Sequence, residues 1–363
     1  MTVHVLVLNY NGQSLLESCL PSVLLAAECS QYDCQVMVID NSSSDQSLEI
    51  LAQRFPTVPV ISRPNDGLCS FNHVLSELDG TATVLLNNDV RLHSLALNHL
   101  LAPLLDGPPD NRTFLTAARC WKFDGVTYEG QKTSIAWRRG LVQATALFEG
   151  HEEGILRPGL TASAGAAIAV DREKFLHLGG FDPIYLPGRL EDLDLSFRAY
   201  MAGYHSHYVP QAIAYHLGFG SFYPAFGEAG CDHLALRNTL LFQWLNLRHP
   251  QHLLAQACWI PTRLLADILT FPWKPQTQRW RFMKAFTAAI QRWFSRGSSI
   301  ERGVHINEEQ DYFKHFSPAR MSAVGNGERH PTEILLFESP HEHSDHVLQF
   351  ELSRTRPQRG EAA

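Results

Sequence analysis

Two stretches of this chain end in the same way. "QVMVID" (35–40) and "TATVLLNND" (81–89) are apolar, buried-type runs that stop on a carboxylate, Asp40 in one and Asp89 in the other. In a parallel sheet the carboxyl ends of the strands face the ligand crevice, so both acids are expected at one cleft; each alone fits a turn or a helix cap equally well. A second acidic cluster, "EDLDLSFRA" (191–199), holds Glu191, Asp192 and Asp194. With a helix starting near Asp192, that residue meets the positive N-terminal end, while Asp194 and Arg198 are i,i+4 neighbours suited to an ion pair. His216 stands in "YHLGFGS", where Gly218 and Gly220 let backbone approach a diphosphate closely. Arg237 can neutralise phosphate or pair with an acid.

These residues need elements to position them, and the sequence supplies an alternation. "VHVLVL" (3–8) reads as a strand, "LLESCLPSVLLAAE" (15–28) as a helix despite its proline, and "QVMVID" as a second strand. "SDQSLEILAQRF" (44–55) is a helix that Ser44 or Asp45 can cap, "VPVISR" (58–63) a third strand, "LCSFNHVLSELDG" (68–80) a helix and "TATVLLNND" a fourth strand. Strands alternating with helices imply an α/β class with a mainly parallel sheet. The 363 residues hold one large domain plus an appendage, or two domains. With 45% hydrophobic and 18% charged residues the composition is globular, and a formal net charge of −7 argues against a nucleic-acid partner. The seven cysteines are scattered and never form CxxC, so neither a disulfide framework nor a zinc knuckle is expected, and a reducing cytosol is the simplest location. The N-terminus reads as a first strand rather than a signal peptide.

A nicotinamide dehydrogenase would carry G-x-G-x-x-G straight after its first strand, to bring backbone N–H groups to a pyrophosphate. Here the loop is "NYNGQS" (9–14), with one glycine, and no G-x-x-x-x-G-K-[ST] occurs. Phosphate must be held another way. The usual alternative is a divalent cation on carboxylate oxygens, which neutralises a diphosphate and stabilises it as a leaving group.

In chain order, "VLVLNYNG" (5–12), "VIDNSSSDQS" (38–47), "RPNDGLCSFN" (63–72), "VLLNNDV" (84–90), "AGAAIAVDREKFLHLGGFD" (164–182), "LEDLDLSFRAYMAGY" (190–204), "AYHLGFGS" (214–221) and "RN" (237–238) resemble the inverting family 2 glycosyltransferases, especially their bacterial rhamnosyltransferase-like branch. The resemblance covers residues 3–240 and implies a GT-A fold, a Rossmann-like, mainly parallel mixed sheet flanked by helices. It implies Tyr10 stacking on a nucleoside base and Asp40 accepting a hydrogen bond from base or ribose, with Asn9, Asn65, Asn88 and Arg237 among the nucleotide-sugar contacts. "LLNND" resembles the family's DxD-type element, which makes Asp89 the metal ligand. The sequence departs from a two-carboxylate version at Asn87 and Asn88, so magnesium or manganese would depend on the donor diphosphate for further ligands. By the same resemblance His216 contacts the metal or the donor phosphates, Asp192 is the general base and Glu191 orients it. A positioned carboxylate is needed because an alcohol is a poor nucleophile at neutral pH, and it typically contributes ~10²–10⁴-fold.

The last third speaks mainly of location. From 252 to 273 and from 279 to 294 apolar residues recur at helical spacing, with Trp280, Met283, Ile290 and Trp293 on one side of the second run and five Lys/Arg around it. Pro261, Arg263 and Asp267 interrupt the first run, so no membrane span is expected. A basic, Trp-rich amphipathic segment either lies in a membrane interface or packs on the catalytic domain or a second subunit. The segment "RCWKFDGVTYEGQKTSIAWRRG" (119–140) either lines the acceptor side or forms a hairpin packed on the sheet. "HEHSDH" (341–346) reads as a solvated run. The expected organisation is a GT-A catalytic domain over 1–240, an amphipathic C-terminal helical extension over 241–300 and a polar, partly disordered tail over 301–363. The expected function is transfer of a sugar, with inversion, from a nucleotide diphosphate donor to a glycan or lipid-linked acceptor in cell-surface polysaccharide synthesis, in the cytoplasm or at the inner face of the membrane, with a homodimer as a further expected assembly. The rivals are a binding protein of the same fold without turnover, favoured by the single acid of "NND", and a sugar nucleotidyltransferase.

Overall fold

A computed structural model of the chain describes residues 2–108, 111–218, 222–275, 278–297, 300, 302–303 and 306–322. The expected alternation appears as β1 (Val3–Asn9), α1 (Gln13–Glu28), β2 (Cys34–Asp40), α2 (Ser47–Arg54), β3 (Val60–Ser62), α3 (Ser70–Glu77) and β4 (Ala82–Asn87). Then come β5 (Val90–Leu92), α4 (Ala96–Leu105), β6 (Thr113–Trp121), β7 (Tyr128–Gly130), β8 (Ser134–Arg138) and β9 (Leu141–Thr145). A short α5 (His151–Gly154) and β10 (Gly159–Leu160) lead to β11 (Ala167–Asp171), α6 (Arg172–His177), α7 (Glu191–Met201) and β12 (His205–His216). The remaining elements are helices: α8 (Phe222–Asn246, broken at Gly227), α9 (Pro250–Thr270), α10 (Arg281–Phe294), α11 (Ile306–His315) and α12 (Pro318–Ser322).

The main sheet has the order β10-β12-β6-β11-β4-β1-β2-β3. Strands β4, β1, β2 and β3 run parallel, β11 lies antiparallel between β4 and β6, and β12 is parallel to β6. Because β2 and β4 flank β1 on opposite sides, the chain departs from β1 in two directions, and a crevice opens at the carboxyl ends of these strands. The period of two along each strand sorts its side chains. Val5, Val7, Val84 and Leu86 face α1 and α4, whereas Leu6, Ile39 and Leu85 face Phe71, Phe175 and Leu195 from α3, α6 and α7.

A third apolar cluster joins α7 to the C-terminal helices. Phe197 stands edge-on to Phe242 of α8 and to Tyr312 of α11, with centroids 5.4 and 4.9 Å apart. The expected boundary at 240 therefore falls inside a helix: Leu240, Leu241 and Phe242 are fully buried, and residues 1–323 form one compact unit. The expected polar tail from 301 includes α11 and α12, because "INEEQDYFKH" turns Tyr312 inward and because Glu309 accepts hydrogen bonds from Arg248 N (2.6 Å) and His249 N (2.9 Å) ahead of α9. The "HEHSDH" run and Gly220 lie outside the described residues. Within 119–140 and just beyond, β8 and β9 form a hairpin of their own that packs on α8 and α11 rather than on the main sheet, and Gln243 of α8 grips it through Val142 N (3.0 Å) and Gly140 O (3.1 Å).

Candidate active site

At the crevice the ends of β1, β2 and β4 are tied by side-chain amides. Asn9 Nδ2 donates to Asp40 Oδ1 (2.9 Å) and to Ser43 Oγ (3.1 Å), while Asn9 Oδ1 accepts from Asn88 Nδ2 (2.8 Å). Asp40 also accepts from Ser43 N (3.0 Å) and Ser43 Oγ (2.6 Å), and is fully buried. This carboxylate, expected to meet base or ribose, shapes the turn from beneath. The lone glycine of "NYNG" has a specific reason: a Cβ at Gly12 would lie 2.0 Å from Asn88 Nδ2, so only glycine admits the Asn9–Asn88 bond. Asp45 caps across elements, accepting from Gln13 N and Ser47 N at 3.0 Å each. Tyr10 is 42% exposed at the mouth of this turn. Asn65 sits to one side, accepting from Gly67 N (3.2 Å) and facing Asn41 Nδ2 at 3.5 Å.

Asp89 stands two residues after β4 and is joined to the far edge of the sheet. Antiparallel pairing of β5 with β12 sets His216 opposite Val90, and Leu217 N donates to Asp89 O (3.1 Å). His216 Nε2 lies 3.2 Å from Asp89 Oδ1, and its Nδ1 lies 3.0 Å from Glu129 Oε2, an ion pair off the hydrogen-bonding line. Burial works to lower the imidazole pKa, but Asp89 and Glu129 outweigh it and hold it up at about 9. Glu129 reaches this place because the ladder shifts register beside it, between Cys120 and Trp121 of β6. Sequence reasoning missed Glu129, since "YEG" carries no motif. Among the described residues no group of three or more His, Cys, Asp or Glu is arranged to hold a metal by itself. Asp89 and His216 thus fit a divalent cation only as a partial set that another ligand must complete.

The third part is the start of α7. Arg189 and Leu190 adopt left-handed backbone (φ 80° and 69°), unusual for residues with a Cβ. Asn238 of α8 holds this bend, its Nδ2 lying 2.8, 2.8 and 2.7 Å from the carbonyl oxygens of Tyr185, Gly188 and Arg189. Arg237, expected among donor contacts, directs Nη2 to Leu186 O (2.7 Å) and Tyr185 O (3.3 Å), and burial lowers its pKa to about 10. Asp192 Oδ1 accepts from Leu193 N (2.8 Å). Glu191 is half-buried, its Oε2 fully so and without a hydrogen-bond partner among the described residues; burial first, then the charge of Asp192, pushes its pKa up to about 8.

Within the first turn, Asp194 anchors the helix. It accepts from Tyr185 OH (2.8 Å), Asn246 Nδ2 (2.7 Å) and Arg198 Nε (2.7 Å), the last being the expected i,i+4 pair, and Arg302 Nη2 stands 3.1 Å away. Burial alone would raise its pKa, but Arg198 and Arg302 hold it at about 2. Arg302 also pairs with Asp182 at 2.7 Å.

Gly165 connects the two halves. The neighbouring Ala166 accepts from Asn87 N (3.0 Å), directly before Asn88 and Asp89, while a Cβ on Gly165 would lie 3.2 Å from Asp192 Oδ2. The structure thus brings Asn9, Asp40 and Asn88 together, pairs Asp89 with His216, and sets Asp192 across Gly165 from that loop.

Residues 4–153 match the family model described as Glycosyl transferase family 2. A curated relative, the putative polypeptide N-acetylgalactosaminyltransferase 10 of Drosophila melanogaster, is 26% identical over 198 residues, which are 51% of this chain and 31% of that protein. The chain therefore spans about a third of that relative's length. Among solved structures, GalNAc-T7 with UDP, GalNAc and Mn2+ aligns at a TM-score of 0.52 and 18% identity, covering 81% of this chain and 57% of that one. TarS 1–349 of S. aureus aligns at 0.48 and 15%, covering 80% and 81%. The sheet thus has the topology of the GT-A fold, and the segment 4–153 within it is the part that matches glycosyltransferase family 2.

Proposed function

We propose that the protein is an inverting glycosyltransferase that moves a sugar from a nucleoside diphosphate donor to a hydroxyl of a glycan or lipid-linked acceptor. The observation that carries this reading is the placement of Asp192 Oδ2 beside Gly165, one backbone step from the loop that bears Asp89. With Oδ1 fixed by Leu193 N, Oδ2 is the oxygen that takes the acceptor proton. The acceptor oxygen then forms its bond to the anomeric carbon as the bond from that carbon to the diphosphate breaks, and the nucleoside diphosphate leaves with the electron pair. Attack opposite the leaving group inverts the centre. Glu191, protonated up to about pH 8, leaves the negative charge of the pair on Asp192.

Asp89 and His216 would hold Mn2+ or Mg2+ together with the donor, and the cation would supply charge stabilisation for the diphosphate as it departs. Glu129 behind His216 is placed to fix the imidazole ring, as carboxylates behind metal-bound histidines commonly do. Tyr10 and Asn65 border the nucleotide end. GalNAc-T7, of the same fold, is described with UDP, GalNAc and Mn2+. The rhamnosyltransferase-like motifs lean toward a deoxyhexose donor, a role in polysaccharide synthesis and a cytoplasmic setting.

The decisive experiment incubates the purified chain with UDP-, dTDP- and GDP-sugars and manganese, measuring release of nucleoside diphosphate and the anomeric configuration of the product. Release that EDTA stops is the expected result. Binding of a nucleotide sugar with no release from any donor would make the chain a binding protein, and full release in EDTA would overturn the cation's part.

A further inference from the structure

Helix α9 is amphipathic in the reverse sense. Its only Asp, Glu, Lys or Arg residues are Arg263 and Asp267, and both turn toward the protein. Asp267 is buried, accepting from Phe282 N (2.8 Å), Met283 N (3.0 Å) and Lys274 Nζ (2.7 Å), and Arg263 donates to Arg139 O (3.0 Å). The opposite side, at spacings of three and four, carries Leu254, Leu265, Ile268 and Leu269 to solvent, followed by Trp273; Leu254 is 67%, Leu269 59% and Trp273 82% exposed. From Leu254 to Leu269 this stripe is about 22 Å long at 1.5 Å per residue. The helix after it, α10, packs its apolar side inward through Phe282, Ala285 and Ala289, so α9 rather than the 279–294 segment shows an apolar face. A continuous apolar stripe of this size marks an interaction surface.

The rim of the stripe indicates what covers it. Of the eight Lys/Arg in residues 247–300, Lys274 and Arg281 are paired with Asp267 and Asp232, Arg248 and Arg292 are turned to backbone carbonyls of α8 and of 183–184, and Arg263 points inward, so the charge bordering the stripe comes from Arg279 and from the neighbouring hairpin. Arg138 and Arg139 are exposed at the tip of the β8–β9 hairpin, which abuts α9 where Gly140 meets Trp259. Arg279 stacks over Phe271 at the other end, 5.0 Å from the ring centroid. A second copy bound through the same patch would set this basic rim against itself. An anionic surface complements it. No helix among the described residues is long and apolar enough to cross a membrane. We propose that the outward face of α9 docks the protein flat on an anionic phospholipid bilayer, with the leucine stripe and Trp273 at the acyl boundary and the arginines at the headgroups.

Co-sedimentation of the whole chain with vesicles tests this without any glycosyl transfer, so its outcome is separate from that of the donor screen. The chain should partition onto vesicles of equal parts phosphatidylglycerol and phosphatidylcholine, poorly onto phosphatidylcholine alone, and less as salt rises. Leu265→Glu with Leu269→Glu should weaken partitioning at least about tenfold, and Arg138→Gln with Arg139→Gln about fivefold per charge removed. A thermal melt checks that the variants fold, and Leu265→Gln with Leu269→Gln replaces the glutamates if they do not. Wild type that prefers neither vesicle, or a double leucine variant that partitions like wild type, overturns the proposal. So does a dimer in sedimentation velocity that the leucine substitutions dissociate in a chain that ignores vesicles, an outcome that would assign the face to a second copy.

Discussion

The two ends of the candidate site are held by different means. At the tips of β1, β2 and β4, Asn9, Asp40 and Asn88 hold one another within the first ninety residues, and Gly12 leaves room for the contact. At the other end, the start of α7 is shaped from a distance: Asn238 grips its entry bend, and Arg302 stands against Asp194. The first is a local construction that the sheet presents directly. The second is a clamp assembled from α8 and the segment before α11, both later in the chain than the matched segment, so the shape of the α7 start depends on residues far from it in sequence.

Substitutions that strike one end and spare the other sharpen this contrast. The largest effect is expected from Asp192→Asn, which should lower turnover by ~10²–10⁴ while nucleotide binding by calorimetry stays near wild type; Asp89→Ala should lose both. Next, Arg302→Ala strands part of the charge of buried Asp194 and should cost about 3 kcal/mol in denaturant titrations, with no direct effect on the Asn9–Asp40 network. The sign with pH is fixed by Asp194, whose folded pKa of about 2 lies below its ordinary 3.8. Its stabilising contribution is complete above 3.8 and lost as pH falls toward 2, so in Arg302→Ala acid unfolding should begin at higher pH.

Gly12→Ala tests the local end. The new methyl must displace the Asn88 amide, and overpacking of this kind costs roughly 1–3 kcal/mol, which should appear as weaker donor binding with α7 and its pH behaviour unchanged. The smallest effect belongs to Glu191→Gln. A carboxyl with a folded pKa near 8 against an ordinary 4.5 keeps its proton when the unfolded chain has lost its own, so wild-type stability falls between those values as pH rises. The glutamine variant should show a flatter dependence of melting temperature across that range, and an unchanged slope would mean that Glu191 is not buried as described.

Legibility in the sequence follows the same division. The β-α-β start, the carboxylates closing β2 and preceding β5, and the Asp194–Arg198 pair are near-neighbour patterns, and the structure contains all of them. The pairing of His216 with Asp89 was readable only through resemblance, because β5 and β12 are joined across more than a hundred residues. Glu129 gave no signal at all: its position comes from a register shift in a strand pair, which a period-two pattern does not encode. Asn238 and Arg302 were likewise invisible as clamps, since an amide facing three carbonyls looks in sequence like any helix asparagine. The periodicity of 252–273 revealed a helix with an apolar stripe but not which way the stripe faced, because that depends on where Asp267 finds its partners.

The anchoring of Asp194 has a consequence in time as well as in space. A chain leaves the ribosome N-terminus first, and Asp194 emerges with only Tyr185 and Arg198 near at hand. Asn246 follows 52 residues later and Arg302 108 residues later. Until then α7 has a buried acid without its full set of partners, and it can settle only after the C-terminal helices have been synthesised. The segment that carries the family resemblance is thus completed last, by residues outside it, and a fragment ending at 240 would stall at a stage that the growing chain passes through.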